Sequence, residues 1–259
     1  MIRVAVCGAC GRMGRLIIKQ ITAQKDMKLA AAIDAPSIAD EGKDAGEVAG
    51  VCELGVAIVG ADKLVQVLQS SKPDVLIDFT TPSASVQNVK AAAQAGISVV
   101  VGTTGLGPQQ VTEIEESVKK GKIRAVVSPN FSVGVNVFFK STRETAKLVG
   151  KDYGVEIEEV HHVHKKDAPS GTALKAAQIL AKELGLRRED IKIKSVREGE
   201  VVGTHTVTFS NPYEQIEITH RAKSREVFAA GAVKAARHVV TKGKPGVIQD
   251  MQDVLGLRS

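Results

Sequence analysis

The stretch Gly8-Ala9-Cys10-Gly11-Arg12-Met13-Gly14 follows an apolar run at residues 2–6 and opens a helical pattern at residues 13–24. Asp34 follows a second apolar run at residues 28–33. This order is typical of a dinucleotide-binding βαβ unit, in which glycines admit a pyrophosphate and the carboxylate binds ribose hydroxyls. A glycine pattern alone also fits an ordinary tight turn, so the context is what favours nucleotide binding.

Apolar runs continue to alternate with helical patterns through the first half of the chain. Runs at residues 75–79, 97–101 and 123–127 are separated by helical patterns at residues 82–94 and from Pro108 onward. This alternation predicts an α/β fold with a Rossmann-type doubly wound parallel sheet.

The rhythm changes after about residue 130. Two helical patterns and several strand-like runs follow, at residues 133–149, 155–160, 170–184, 191–197, 204–210 and 215–219. They predict a second, α+β domain with a mixed or antiparallel sheet. We therefore expect a dinucleotide-binding domain at residues 1–129 and a substrate-binding and oligomerisation domain at residues 130–240, with the segment 241–259 packing back onto the first domain.

The composition argues against several functional classes. The 259 residues carry a net charge of +6, but Lys and Arg are interleaved with Asp and Glu rather than gathered in a basic stripe, and there is no Trp for base stacking. We expect no nucleic-acid partner and a small anionic ligand instead. No apolar run approaches the roughly 18 residues needed to span a bilayer. Three cysteines and no signal-peptide pattern favour a cytoplasmic location without membrane contact.

Polar loops follow three of the predicted strands. They are residues 79–82, 102–105 and 128–131, and each carries Thr, Ser, Asn or Gly. Ligands of doubly wound sheets bind beyond the carboxyl ends of the strands, so these loops are candidates for contacting a nicotinamide ring. Any one of them also fits an ordinary turn.

The densest chemistry lies at residues 158–172, which hold three of the six histidines, two lysines and a helix start at Ser170 or Thr172. A helix N-terminus flanked by lysines predicts a carboxylate-binding pocket. His161 and Lys165 are both candidates to deliver a proton. A solvated strand end is the plain alternative.

A metal site is a weaker hypothesis at two places. One would be built from His161, His162, His164 and a glutamate, but on an extended strand His162 and His164 share a face and His161 points away, so one ion could not easily collect all three. Cys7 and Cys10 form a CxxC pattern, but only Cys52 remains to join them. We predict no metal.

The segment at residues 161–173, His-His-Val-His-Lys-Lys-Asp-Ala-Pro-Ser-Gly-Thr-Ala, resembles the signature of the 4-hydroxy-tetrahydrodipicolinate reductase family. Residues 8–14, 102–105, 129–132, 217–220 and 253–257 also match, so the resemblance covers almost the whole chain. It implies NADH- or NADPH-dependent reduction of a cyclic imine dicarboxylate in lysine biosynthesis, and a homotetramer.

The resemblance also implies roles for single residues. His161 and Lys165 would supply the proton, and His162, Gly171 and Thr172 would hold the substrate carboxylates. The implied cofactor-binding residues are Gly8, Ala9, Cys10, Gly11, Arg12, Met13, Asp34, Gly102, Thr103, Thr104, Ser128, Pro129, Asn130 and Phe131.

Two departures from the family pattern bear on specificity. Many members have Glu and a basic residue where this chain has Asp34-Ala35-Pro36, which leaves Arg12 as the nearby partner for a 2′-phosphate. Val163 replaces a frequent Arg, a loss that Lys166 would have to offset if that Arg were needed.

Three rival functions stay open at this point. They are a reductase of the same build for another small acid, a nicotinamide-sensing regulatory protein, and a metal-dependent hydrolase. Turnover with candidate substrates, and sensitivity to chelators, would separate them.

Overall fold

A computed structural model describes residues 1–258, which form two compact units. Unit 1 combines Met1–Phe131 with the chain from Phe228 onward, and unit 2 is Ser132–Val227. In chain order the elements are β1 (Ile2–Cys7), α1 (Arg12–Thr22), β2 (Met27–Asp34), α2 (Ala45–Ala49), β3 (Ile58–Gly60), α3 (Leu64–Ser71), β4 (Val75–Asp78), α4 (Pro82–Gln94), β5 (Ser98–Val101), α5 (Pro108–Gly121), β6 (Ala125–Val127), α6 (Val133–Val149), β7 (Gly154–His161), α7 (Gly171–Leu184), β8 (Lys192–Arg197), β9 (Gly203–Ser210), β10 (Gln215–Ala222), α8 (Glu226–Lys242), β11 (Ile248–Gln249) and α9 (Met251–Val254).

Unit 1 contains a seven-stranded sheet in the order β11-β6-β5-β4-β1-β2-β3, with every neighbouring pair parallel. The order reverses between β1 and β4, which are neighbours. The predicted doubly wound parallel sheet is confirmed. Loops after β1 and β4 diverge at such a reversal and leave a crevice at the carboxyl ends of the strands.

Alternating side chains of β1 pack in two apolar cores on opposite faces of this sheet. Val4 and Val6 belong to the core shared with α1 and α8, whereas Ala5 and Cys7 belong to the core shared with α3, α4 and α5. Burial on both faces explains why the strands are apolar runs instead of alternating ones.

Helix α8 was not anticipated from the sequence. Its buried residues are mostly small, including Ala229, Gly231 and Ala232, because the helix packs closely in the first core. A carbon added at Gly231 would lie 1.8 Å from the carbonyl oxygen of Phe131. An Ala-rich helix of this kind shows little apolar periodicity, which is the signal on which sequence-based assignment depends.

Unit 2 contains a four-stranded mixed sheet in the order β10-β9-β7-β8. The β10/β9 and β7/β9 pairs are antiparallel and the β7/β8 pair is parallel. Its core joins α6 and α7 to β7 and β9 through side chains such as Phe138, Leu180, Ile157 and Phe209. The predicted α+β domain with a mixed sheet is confirmed.

Candidate cofactor and substrate sites

The glycine loop joins β1 to α1 beside the reversal of strand order. A Cβ at Gly14 would lie 2.0 Å from the carbonyl oxygen of Gly8, so the loop and the first turn of α1 pack at backbone contact. The first turn of α1 carries no acidic residue. Its positive dipole end is therefore left for an external anion, as a pyrophosphate requires.

Asp34 is tied to the glycine loop at the end of β2. One carboxylate oxygen accepts a hydrogen bond from the backbone N–H of Cys10 at 2.7 Å, and the other accepts from the N–H of Ala35 at 2.7 Å. Burial, with the nearby charge of Asp34, raises the pKa of the Cys10 thiol to about 11. Burial also raises the pKa of Cys7. Both thiols are thus protonated at neutral pH, which disfavours thiolate or redox chemistry in the CxxC pattern.

A cavity of about 470 Å³ opens in unit 1 at the carboxyl ends of the strands. Its lining residues are Gly11, Arg12, Met13, Phe79, Thr80, Gly102, Thr103, Thr104, Pro129, Asn130, Phe131 and Phe228. Nine of the predicted cofactor-binding residues are among them, from the loops after β1, β5 and β6. The volume suits a small-molecule site.

The other predicted cofactor-binding residues are not part of this lining. Gly8 and Ala9 donate backbone hydrogen bonds to the carbonyl of Ile33 at 2.9 and 3.1 Å. Ser128 is buried, and its hydroxyl donates to the carbonyl of Asn130 at 3.0 Å. In this structure these residues shape the loops, and Cys10 and Asp34 lie at the edge of the glycine loop.

The sequence analysis missed two lining aromatics as cofactor contacts. Phe79 lies in a loop that was singled out, and its ring packs 5.5 Å from that of Phe131. Phe228 begins the return of the chain into unit 1. Nothing in the local sequence around Phe228 signals a site.

Asp78, the last residue of β4, is hydrogen-bonded to both the loop after β4 and the loop after β5. This fully buried carboxylate accepts hydrogen bonds from the Thr80 hydroxyl at 2.7 Å, the Thr103 hydroxyl at 3.0 Å and the Asn88 amide at 2.8 Å. Burial raises the pKa of Asp78, and those hydrogen bonds offset only part of the effect. Because Thr80 and Thr103 both line the cavity, Asp78 fixes the position of two of its walls relative to each other.

In unit 2, His161 lies buried at the end of β7. Its Nδ1 contacts the carboxylate of Glu159, which is itself fully buried. Burial lowers the pKa of His161, and the charge of Glu159 opposes that effect. His161 is therefore a sheltered imidazole whose protonation depends on a neighbouring carboxylate.

The other predicted residues of this segment lie in the turn and helix start that follow β7. Lys165 donates from Nζ to the carboxylate of Asp167 at 2.8 Å. Ser170 is the N-cap of α7, where its hydroxyl accepts from the N–H of Ala173 at 3.2 Å, and Gly171 and Thr172 begin the helix. With no acidic residue in its first turn, this N-terminus suits a carboxylate.

Three residues around His161 were missed by the sequence analysis. Glu159 accepts from Nη1 and Nη2 of Arg197 at 3.0 Å each. His205 lies with its ring centroid 5.0 Å from that of His161, and burial lowers its pKa to about 3. Glu159 had a weak signal, since its two-residue spacing from His161 on a strand places both side chains on one face.

The histidine set considered for a metal is not the set that the fold gathers. Within residues 1–258, the potential ligand atoms that lie within 4.8 Å of one another belong to Glu159, His161 and His205. His164 is exposed, with Nε2 3.6 Å from the Glu200 carboxylate. The absence of a metal stays a prediction.

Comparison with known proteins decides the family. A family model described as the dihydrodipicolinate reductase N-terminus matches residues 2–131, and one described as the C-terminus matches residues 134–255. The chain belongs to the dihydrodipicolinate reductase family. The predicted family membership is confirmed, and with it an oxidoreductase class that uses a nicotinamide cofactor.

Curated relatives of this reductase family match the chain along its whole length. A 4-hydroxy-tetrahydrodipicolinate reductase of Methanosarcina acetivorans is 51% identical, over 99% of this chain and 100% of the relative. One of Methanocaldococcus jannaschii is 47% identical, over 99% and 98%. Both alignments span the cofactor loops and the His161 segment.

A solved structure of the reductase family agrees with the fold. Dipicolinate-bound dihydrodipicolinate reductase from Paenisporosarcina sp. TG-14 has a TM-score of 0.81 and 25% identity, over 98% of each chain. An amine dehydrogenase from Mycobacterium smegmatis, at a TM-score of 0.62 and 13% identity over 95% and 94%, shares the fold alone. No helix within residues 1–258 is both long and apolar enough to cross a membrane.

Proposed function

We propose that this chain reduces 4-hydroxy-tetrahydrodipicolinate to tetrahydrodipicolinate, with loss of water, in the diaminopimelate route to lysine. The observation that carries the proposal is similarity of 47–51% identity over 99% of the chain to relatives that bear this reductase name. The anion-compatible start of α7 beside His161 and Lys165 fits a dicarboxylate substrate that needs a proton.

Unit 1 is the proposed cofactor domain. Its residues fit a nicotinamide dinucleotide because the glycine loop leaves the N-terminus of α1 without an acidic residue and Asp34 lies at the end of β2. The bound cofactor would supply the hydride. Loops after β5 and β6, with Thr103, Thr104 and Asn130, would contact its nicotinamide end in the cavity.

Unit 2 is the proposed substrate and oligomerisation domain. His162, Gly171 and Thr172 would bind the two carboxylates, and His161 or Lys165 would deliver the proton to the carbon next to the one that receives hydride. We also propose a homotetramer, which light scattering on the purified protein would test, and a cytoplasmic location.

We further propose that NADH is the better cofactor. The Asp34 carboxylate is held by two backbone N–H groups and cannot swing away from a 2′-phosphate. Arg15, the next cation in α1, already pairs with Asp40 at 3.3 Å. A 2′-phosphate dianion would thus lie near a fixed negative charge, with Arg12 as its compensating partner.

One assay tests the activity, the proton donors and the cofactor together. NADH and NADPH oxidation would be followed by nicotinamide absorbance with substrate freshly condensed from pyruvate and aspartate semialdehyde. Wild type should turn over with a higher kcat/KM for NADH, and His161→Ala and Lys165→Ala should each lower kcat roughly 100-fold.

Other outcomes would redirect the assignment. Cofactor binding without oxidation would remove the substrate assignment and favour a sensor or a reductase for another acid. A kcat/KM that is higher for NADPH would overturn the role given to Asp34. Loss of activity with a chelator would overturn the prediction of a metal-free reaction.

A further inference from the structure

A buried carboxylate, Glu159, lies beside His161 in the sheet of unit 2 and is linked through Arg197 to the loop that carries Lys165. Glu159 has no exposed surface, and one of its carboxylate oxygens accepts both Nη hydrogen bonds of Arg197 at 3.0 Å. Its other oxygen contacts Nδ1 of His161. A buried carboxylate is stable in charged form only with such partners, and the guanidinium of Arg197 supplies the opposite charge.

Nδ1 of His161 faces an oxygen of the Glu159 carboxylate. Because a carboxylate accepts hydrogen bonds and does not donate them, this approach favours a hydrogen on Nδ1 and leaves Nε2 to gain or lose a proton. The ring is also confined from the other side. A Cβ built at Gly203 would lie 3.0 Å from Nε2 of His161, so a side chain at this position would press against the ring.

Arg197 connects this carboxylate to the loop that carries Lys165. Its Nη2 donates to the backbone carbonyl of Asp167 at 2.6 Å, and the side chain of Asp167 accepts from Nζ of Lys165 at 2.8 Å. One guanidinium therefore holds the partner of His161 and the loop of the second candidate proton donor.

His205, whose ring lies beside that of His161, is neutral and so adds no positive charge next to it. The Ser170 hydroxyl accepts from the N–H of Ala173, so its own hydrogen is available for Nε2 of His205 at 3.0 Å. Because burial lowers its pKa to about 3, the ring of His205 is a neutral imidazole beside His161. The charged groups that face His161 are Glu159, Lys165, Asp167 and Arg197.

We infer that Glu159 and Arg197 are positioning residues for the proposed reduction, which hold His161 as the Nδ1–H tautomer with Nε2 as the nitrogen that exchanges the proton. The inference rests on the proposed function for its catalytic meaning. Its structural content concerns the state of one imidazole and is measurable without turnover.

Glu159→Gln tests the inference, because glutamine keeps the shape and removes the charge. If the amide oxygen stays on Arg197, the amide N–H₂ faces Nδ1 and donates to it, which moves the ring hydrogen to Nε2. The ¹⁵N shifts of the two ring nitrogens, assigned against His161→Gln, should exchange their order. The pKa of His161 should also fall by about 1 unit, since an opposite charge at this range raises a histidine pKa by roughly 1–3 units.

The lower pKa of His161 in Glu159→Gln should also change the pH dependence of kcat/KM. A general acid acts in its protonated form, so the basic limb of the kcat/KM profile should move to lower pH, with kcat reduced about 10-fold or more and substrate KM nearly unchanged. Glu158→Gln is the matched control, because Glu158 neighbours Glu159 on β7 but pairs with Lys194 on the exposed surface at 2.6 Å. It should leave ring shifts and pH profile as in wild type.

Unchanged ring shifts in Glu159→Gln would overturn the inference, whatever the activity. Inactive wild type with the expected exchange of ring shifts would instead remove the proposed function and leave the tautomer assignment standing. Should Glu159→Gln fail to fold, Arg197→Lys keeps the charge and loses the paired donors. It should then broaden the His161 ring signals and lower kcat, and wild-type behaviour of that variant would count against the inference.

Discussion

At the scale of single residues, His205 makes folding depend on pH. Its folded pKa of about 3 lies below the ordinary 6.5, because burial disfavours the charged ring. Between those values the unfolded chain binds a proton that the folded chain does not, so stability falls as pH falls from 6.5. His161 and His220 are shifted in the same direction by burial and add to the effect.

We expect His205→Gln to flatten this pH dependence. Between pH 6.5 and about 4.5, wild type should lose up to about 1.4 kcal/mol of stability per pH unit through His205. Urea unfolding at stepped pH would measure the slope. His164→Gln is the exposed control and should keep it. Equal slopes in wild type and His205→Gln would show that His205 is not the group involved.

Some residues around His161 could be predicted from the sequence and others could not. His161 and Lys165 were named because they lie in one continuous segment with a helix start. Arg197 and His205 were not, since they lie on β8 and β9 and reach the site only through the register of the sheet. His161 pairs with Arg197 across β7 and β8, and Glu159 pairs with His205 across β7 and β9.

At the scale of elements, Asp78 links the loops that follow β4 and β5. We expect Asp78→Ala to cost about 2–4 kcal/mol, because buried donors from Thr80, Thr103 and Asn88 would lose their acceptor. Nucleotide affinity should fall as well, since both threonines line the cavity. Chemical unfolding and NADH fluorescence titration would measure the two effects.

Asp78→Asn is the informative partner of that variant. Its amide oxygen still accepts from the threonines, and Asn88 can turn its own amide to accept from the new N–H₂, so most of the stability should return. Asp152→Ala, at an exposed position, should change neither quantity. Full NADH affinity in Asp78→Ala would contradict the role of Asp78 in arranging the loops.

At the scale of the whole molecule, unit 1 is built from two separated stretches of chain. Its first core combines β-strand residues such as Val4 and Val6 with Ala229, Val233 and Met251 from beyond residue 228, all of them buried. A fragment of residues 1–131 would expose this apolar surface, at a cost of roughly 25 cal/mol per Å².

We therefore expect fragment 1–131 to lack cooperative unfolding and NADH binding. The same fragment joined by a flexible linker to residues 228–259 should recover both. Thermal unfolding by circular dichroism, with NADH fluorescence, would compare the two fragments. A fragment 1–131 that unfolds as sharply as the linked version would show that α8 and β11 are dispensable for the sheet.

Residues close together in the chain were enough to predict the βαβ beginning, the doubly wound sheet and the family, and to name candidate proton donors. The return of α8 to unit 1, the position of Phe228 in the cavity lining, and the approach of Arg197 and His205 to Glu159 and His161 became visible only in the folded chain. Those contacts join residues 35 or more positions apart, as in the pairs Arg197–Glu159 and Ser170–His205. They arise from strand register and core packing, which no local pattern encodes.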